Sequence, residues 1–135
     1  MSLSNATELD ALNVFLRGND PSYRAGATNY LALFTGNPDE AASLAAECNY
    51  LGYARVALTK ATAWTGAASP LTNTDLIQFG ACTSGTNLIT YFAVVDTASG
   101  AVNMMISGEI SGSGLNVSAG IQPQFAAGAL SISAD

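Results

Sequence analysis

The run Leu-Ile-Thr-Tyr-Phe-Ala-Val-Val at residues 88–95 restricts the fold of this chain more than any other feature. β-Branched and aromatic residues dominate it, and it lacks the regular alternation of polar residues that marks a solvent-facing strand. A strand this apolar would invite aggregation if it lay at the edge of a sheet. We therefore predict a central strand, flanked by other strands and covered by a second layer.

Six other segments have the composition of strands, and short turns separate most of them. They are residues 29–35, 51–59, 74–79, 101–107, 115–121 and 129–133. The short turn that ends in Ser99-Gly100 predicts that 101–107 is the antiparallel hairpin partner of 88–95. The first of the six is expected to be buried on both faces, and 51–59, which alternates well, to be half-exposed. Crossovers this short predict a mainly β fold, an antiparallel β-sandwich of the jelly-roll or Greek-key kind.

The N-terminal residues have the pattern of an amphipathic helix. Asn5 and Glu8 have the spacing of a capping box, and Gly18 can supply a left-handed C-terminal cap. Between them, apolar residues recur at helical spacing: Leu9, Leu12, Phe15 and Leu16. Such a helix is either a lid on the open end of the core or an arm that docks on a neighbour, and we favour the lid.

A second, short helix is predicted between the first two strands. Asn37 resembles a helix N-cap, Pro38 suits the first helical position, and two acidic residues follow. The Ala-rich residues 41–48 would then form a short helix inserted in the sandwich. We divide the chain into an N-terminal helical arm and linker, residues 1–28, and a β-sandwich domain, residues 29–135.

Composition argues against several partners. Ten acidic and four basic residues give a net charge of −6, and the four cations, Arg17, Arg24, Arg55 and Lys60, are too scattered to form a nucleic-acid-binding stripe. The N-terminus lacks the pattern of a signal peptide, and no apolar run is long enough to span a membrane, so we expect a protein that stays or assembles in the cytosol of its producer. With 49% hydrophobic and 10% charged residues, either part of the surface is hidden against other subunits, or Thr and Ser simply cover the sheets.

The residues that usually carry catalysis are scarce. The chain has no histidine, and Cys48 and Cys82 are predicted to be buried small hydrophobic residues rather than ligands or a disulfide. Asp75, Asp96 and Glu109 fall near strand ends and are interpreted as turn or cap residues, with a loop-bound cation at Asp96 as an open alternative. We expect no enzyme, no catalytic residue, no metal and no cofactor.

Aromatic residues leave one binding function open. A glycan-binding surface would need exposed coplanar rings, for which the candidates are Trp64, Tyr23 and Tyr50. For Trp64, a place in the core or at its rim is the expected role.

Four segments in order resemble a family of small tailed-bacteriophage virion proteins, commonly called tail fibre proteins, some of which look like capsid-decorating proteins. The segments are residues 30–35, 52–55, 89–100 and 125–132. Where that family usually has a Gly-rich loop before Gly52, this chain has the Ala-rich segment 41–48. The resemblance implies a virion structural protein with a β-sandwich body.

Two roles compete within that resemblance. A capsid cement protein would stabilise the shell by self-association, as a dimer or trimer, and by contacts with the major capsid protein or another virion protein. A tail fibre or receptor-binding module would carry a tip that faces the host, often with a fibrous extension. Because this sequence shows no heptads and ends soon after its last strand, we expect the cement role, in a virion assembled in the host bacterial cytoplasm, with the N-terminal arm as the docking element. A carbohydrate-binding module is the second alternative.

Overall fold

Antiparallel β-strands make up most of the structure, a computed structural model that describes residues 2–38 and 42–133. The strands are β1 (Ser2–Leu3), β2 (Thr28–Phe34), β3 (Val56–Thr59), β4 (Trp64–Thr65), β5 (Leu71–Asn73), β6 (Ile77–Gln78), β7 (Asn87–Ile89), β8 (Tyr91–Val95), β9 (Met104–Glu109), β10 (Leu115–Val117), β11 (Gln124–Phe125) and β12 (Ser131–Ile132). One α-helix, α1 (Asn5–Arg17), and a 3-10 turn, Ser22–Arg24, lie between β1 and β2. The prediction of a mainly β, antiparallel fold with an N-terminal helix is confirmed.

The predicted central strand is at the centre of the largest sheet. That sheet has five strands in the order β1-β9-β8-β2-β3, and every neighbouring pair is antiparallel. The hairpin prediction is also confirmed, because β9 pairs with β8. Thr90 divides the predicted strand in two, and its first part, β7, pairs with β10 in a separate ladder.

Both faces of the central strands are buried, as their composition requires. On one face Leu31, Leu33 and Phe92 pack against a second layer, which is made of the short ladders β10-β7, β11-β6 and β12-β5-β4. On the other face Ala32 and Phe34 belong to a smaller cluster with Ala93, Val95 and Met104. The structure is therefore sandwich-like, although its second layer is three short ladders rather than one continuous sheet.

The predicted inserted helix is wrong in the part that the structure describes. Residues 42–48 form turns and a bridge to Phe34, while residues 39–41 lie outside the described residues. Backbone groups of this segment pair with β2: Thr35 N–H donates to Ala46 O at 2.8 Å, and Cys48 N–H donates to Leu33 O at 2.9 Å. β3 pairs only with residues 28–31, so the rest of β2 is free to satisfy groups that a helix would have paired internally. This tertiary pairing overrides the helix propensity of alanine.

Several strands are shorter than predicted. In the segment 51–59 only β3 is a strand, because the chain turns at Gly52, where φ is +106°. In the segments 74–79 and 115–121 only β6 and β10 are strands. The closing strand is confirmed as β12, which pairs with β5.

Helix α1 begins one residue earlier than the capping pattern predicted. Ser4, not Asn5, is the N-cap, and its hydroxyl accepts a hydrogen bond from Thr7 N–H at 3.2 Å. The left-handed cap at Gly18 is confirmed, with φ of +68°. None of the described helices is long and apolar enough to cross a membrane.

Asn73 joins two loops of the second layer, the β5-β6 and β11-β12 connections, through a buried side chain. Its amide donates to Asp75 O and Ala126 O, both at 2.9 Å, and its Oδ1 accepts from Leu130 N–H at 2.8 Å. Asn73→Ala is expected to lower the free energy of unfolding by about 2 kcal/mol, because it leaves a buried N–H without an acceptor. Urea denaturation checks this.

The control for this substitution is Asn103→Ala. Asn103 is exposed, and its side chain donates to Asp96 at 2.7 Å on the surface. Its loss should change stability by no more than about 0.5 kcal/mol. Equal losses for the two variants would mean that the buried amide has no special role.

Candidate interaction surface

The two cysteines are buried, as predicted, and form no disulfide. Burial raises the pKa of the Cys48 thiol to about 12. The Cys82 thiol donates to the carbonyl oxygens of Ser84 and Gly85 at 3.3 and 3.4 Å. Burial keeps both thiols away from solvent, whereas a reactive cysteine needs access to it.

The acidic residues near strand ends are not gathered into one site. The Asp96 carboxylate accepts two hydrogen bonds from Asn103, one from the backbone N–H and one from the side-chain amide, both at 2.7 Å. Asp96 therefore stabilises the β8-β9 connection. Asp75 and Glu109 are exposed. Within residues 2–38 and 42–133, no group of three acidic or cysteine side chains is arranged to hold a metal ion.

The aromatic candidates for glycan binding do not form a platform. Tyr50 is buried, and its hydroxyl donates to Gly80 O at 2.9 Å. Trp64 is partly buried against the main core, as expected for a rim residue. Among the aromatic residues that the structure describes, Phe15 alone is exposed, at 82%.

The four cations contact the protein itself. Arg55 pairs with Glu47, and Arg24 pairs with Asp20. Lys60 donates to the carbonyl oxygens of Tyr23 and Arg24, and Arg17 donates to Asn13 at 3.4 Å. Because the four cations are scattered and bind groups of the chain itself, they do not form a continuous basic surface among the described residues.

The apolar face of α1 points away from the rest of the chain. The residues that face the protein, Thr7, Asp10, Ala11 and Val14, are partly buried and recur at intervals of three and four. The opposite face consists of Leu9, Leu12, Phe15 and Leu16, which are 58%, 56%, 82% and 78% exposed. We call these four residues the outer apolar face. The helix is therefore not the lid that we favoured, because a lid would turn its large apolar residues inward.

Polar contacts hold α1 in this orientation at its first turn. Ser4 Oγ donates to Met104 O at 2.6 Å, and Thr7 Oγ1 donates to the same oxygen at 3.0 Å. Next to them, β1 pairs with Ile106 and Ser107 of β9. Sequence patterns identified the helix but not these anchors, because the residue that binds Ser4 and Thr7 lies about a hundred positions away.

A second anchor lies in the linker after the helix. The Tyr23 hydroxyl donates to Asp10 Oδ2 at 2.5 Å, and Lys60 Nζ donates to Tyr23 O at 2.8 Å. Burial, and then the hydrogen bond to Asp10, raises the pKa of Tyr23 to about 12. The folded-state pKa thus exceeds the ordinary value of 10, so this contribution to stability is complete below pH 10 and is lost as the pH rises through 12.

Tyr23→Phe is expected to loosen the helix without unfolding the sheets. Loss of this hydrogen bond should cost about 1 kcal/mol and speed amide exchange within α1. After correction for the intrinsic exchange rates, raising the pH from 10 toward 12 should speed amide exchange in α1 of the wild type more than in α1 of the variant. Hydrogen exchange followed by mass spectrometry measures both effects.

The control is Asp20→Asn, which breaks the exposed pair with Arg24 in the same linker. It should leave exchange in α1 unchanged. If Tyr23→Phe also left exchange unchanged, the contact with Asp10 would not hold the helix.

An apolar cleft lies beside β1, where the arm joins the sheet. It has a volume of about 530 Å³, and its mostly apolar wall is lined by Leu3, Gly66, Ala67, Ala68, Ser69, Leu71, Ile106, Ile132 and Ser133. Leu71 is 40% exposed there. Small residues of the loop 66–69 form one side and leave the space open. The surface near the arm thus has both a projecting apolar face and an apolar cleft.

The sequence matches a known protein family over almost its whole length. The sequence model of the family described as podophage GP4 fiber I protein gp80 matches residues 2–133. No curated protein matches the sequence. The match includes the arm, both layers and the cleft.

Proposed function

Because the chain belongs to the podophage GP4 fiber I protein gp80 family, we propose that it is a non-enzymatic structural subunit of a fibre on the virion of a tailed phage. The family description favours the fibre role, which was our first alternative, over the capsid cement role. The observation that carries a structural role is the outer apolar face of α1, which is held outward by polar anchors. A face of this kind marks a site of protein contact.

The chemistry of the side chains supports the absence of an enzymatic activity. The chain lacks histidine, and the buried Cys48 thiol has a raised pKa. The acidic side chains considered for catalysis lie in exposed positions or stabilise a turn. Histidine, which most often transfers protons near neutral pH, is therefore missing, and these acidic residues are not gathered around a common site.

Partners follow from the same surface. The protein contacts other copies of itself and a further virion protein, and assembly takes place in the host bacterial cytoplasm. Nucleic acid and membranes are not among the partners, in view of the net charge of −6 and the four scattered cations. A carbohydrate-binding role has no supporting aromatic platform among the described residues.

Labelling of intact virions tests the location. Gold-labelled antibodies against this chain, followed by a reconstruction of the virion, should place the protein on fibres at the tail. Label spread over the head shell would favour the cement role and overturn the fibre proposal. Virions that carry no label at all would overturn both the fibre role and the cement role.

Binding of the purified protein separates the two roles further. A cement protein should bind empty capsids made without it, whereas a fibre subunit should bind isolated tails. Saturable binding to capsids but not to tails would contradict the fibre proposal.

A further inference from the structure

The outer apolar face and the apolar cleft are complementary in chemistry. Phe15 and Leu16, the most exposed large apolar residues of the helix, project near the end of α1. The cleft offers the side chains of Leu3, Leu71 and Ile132 and has room for two such residues, at about 530 Å³. An exposed apolar projection and an apolar cleft on one molecule favour contact between copies.

The helix cannot fill the cleft of its own chain. Leu3, in the wall of the cleft, comes just before α1, and Phe15 lies ten residues beyond the first residue of that helix. An α-helix rises about 1.5 Å per residue, so the projecting end lies about 15 Å along the axis from the helix start. The polar anchors of Ser4 and Thr7 keep the helix in this position. If the end of α1 fills this cleft, the helix must therefore belong to another copy.

We propose that Phe15 and Leu16 of one copy insert into the cleft beside β1 of a second copy, so that copies join head to tail. The contact uses different surfaces on the two partners and is therefore heterologous. Repetition of such a contact closes a ring or continues as a filament. This proposal deepens the proposed fibre role, because a fibre subunit needs contacts with its neighbours.

The area of the two surfaces suits a specific contact. The four residues of the outer apolar face expose on the order of 400–500 Å² of apolar surface, which is large for one patch on a monomer. A partner that covers this whole face loses a similar area from the cleft and the surface around it, so one such contact buries on the order of 1,000 Å², near the lower bound of specific interfaces. Every copy in a closed ring, and every internal copy of a filament, uses both surfaces and so buries about twice the area that a terminal copy of a filament buries.

Complementation between two variants tests the proposal. In Phe15→Ser/Leu16→Ser the projection is removed and the cleft is intact. In Ala67→Trp the cleft is blocked and the projection is intact. The full-length wild type should show concentration-dependent association by sedimentation velocity, and each variant alone should associate at least about 100-fold more weakly. An equimolar mixture of the two variants should form a heterodimer that stops at two chains.

Controls keep the outcomes distinct. Phe15, Leu16 and Ala67 are all exposed, so thermal unfolding followed by circular dichroism should be unchanged in both variants. Arg17→Gln, an exposed change beside the projection, should associate like the wild type. A monomeric wild type, or a mixture that stays monomeric, would overturn the proposal. Self-association of Ala67→Trp alone would instead indicate a helix-to-helix contact and would also overturn it. None of these results alters the location on the virion, which the labelling experiment decides separately.

Discussion

Arg55→Met is expected to lower the free energy of unfolding by about 3–5 kcal/mol. The Arg55 guanidinium donates to both carboxylate oxygens of Glu47, at 2.7 and 2.8 Å. The two side chains are only 4% and 16% exposed. Removing one partner leaves a buried carboxylate with a hydrogen bond from Tyr53 at 2.9 Å and no opposite charge beside it.

The same guanidinium connects two loops. It donates to the carbonyl oxygens of Thr97 at 3.0 Å and Gly100 at 3.1 Å, in the connection between β8 and β9. Glu47, on the other side, belongs to the segment that bridges to β2. The hydrogen bonds that Arg55 donates to Glu47 raise the pKa of Arg55 above its ordinary value, so the side chain stays charged. Loss of Arg55 should therefore also speed amide exchange in residues 97–103.

Arg24→Met is the matched control, because Arg24 forms an ion pair with Asp20 in which both side chains are more than half exposed. It should cost no more than about 1 kcal/mol. In the double variant Arg55→Met/Glu47→Leu, much of the loss should be recovered, since no unpaired charge remains buried. Urea denaturation measures all three. Similar losses for Arg55→Met and Arg24→Met would contradict the role of the buried pair.

The sequence was sufficient to predict the centre of the sheet. The apolar run at 88–95 has too few polar residues for an edge strand, and β8 lies in the middle of the five-stranded sheet. The short turn before residue 101 likewise predicted the pairing of β8 with β9. Both predictions rest on local composition and local geometry, which act within a few residues.

Predictions failed where distant contacts decide the structure. Residues 42–48 are rich in alanine, but their backbone groups pair with the end of β2 that β3 does not cover instead of forming a helix. The pattern of α1 gave its apolar stripe but not its direction, since the anchor for Ser4 and Thr7 is the backbone oxygen of Met104. Helical periodicity alone does not say whether the stripe faces the core of the same chain or another molecule.

The candidate surface was therefore only half predictable. We considered a docking arm from the sequence, yet the cleft beside β1 has no sequence signature. It forms where residues of β1, β5, β9 and β12 meet, and these strands span most of the chain. The small residues 66–69 that leave it open have no pattern that distinguishes a cleft wall from an ordinary loop.

Gly80→Ala is expected to destabilise the protein by about 3 kcal/mol, at the upper end of the range for overpacked sites. A Cβ at residue 80 would lie 2.0 Å from the Gly52 carbonyl oxygen, and a Cβ at Gly52 would lie 2.2 Å from Ala81 O. The obstacle in each case is backbone, so no rotation of a side chain relieves the overlap. The segments must separate instead.

Separation of these segments would disturb the main core. Phe79, which is 1% exposed, comes directly before Gly80, and Tyr50 donates its hydroxyl to Gly80 O at 2.9 Å. Backbone hydrogen bonds also join the two segments, between Leu51 and Ser84 and between Thr83 and Leu51, each at 2.9 Å. A shift large enough to admit a methyl group would therefore weaken several of these contacts together.

Gly36→Ala is the control for the added methyl group, since its Cβ would meet only the Ala46 side chain at 3.6 Å, an ordinary contact. It should change the free energy of unfolding by no more than about 1 kcal/mol in either direction. Thermal and urea denaturation of both variants measures the difference. If Gly80→Ala were as stable as Gly36→Ala, the close approach of the two glycine backbones would not be needed for this fold, because the chain could accommodate a side chain between them at little cost.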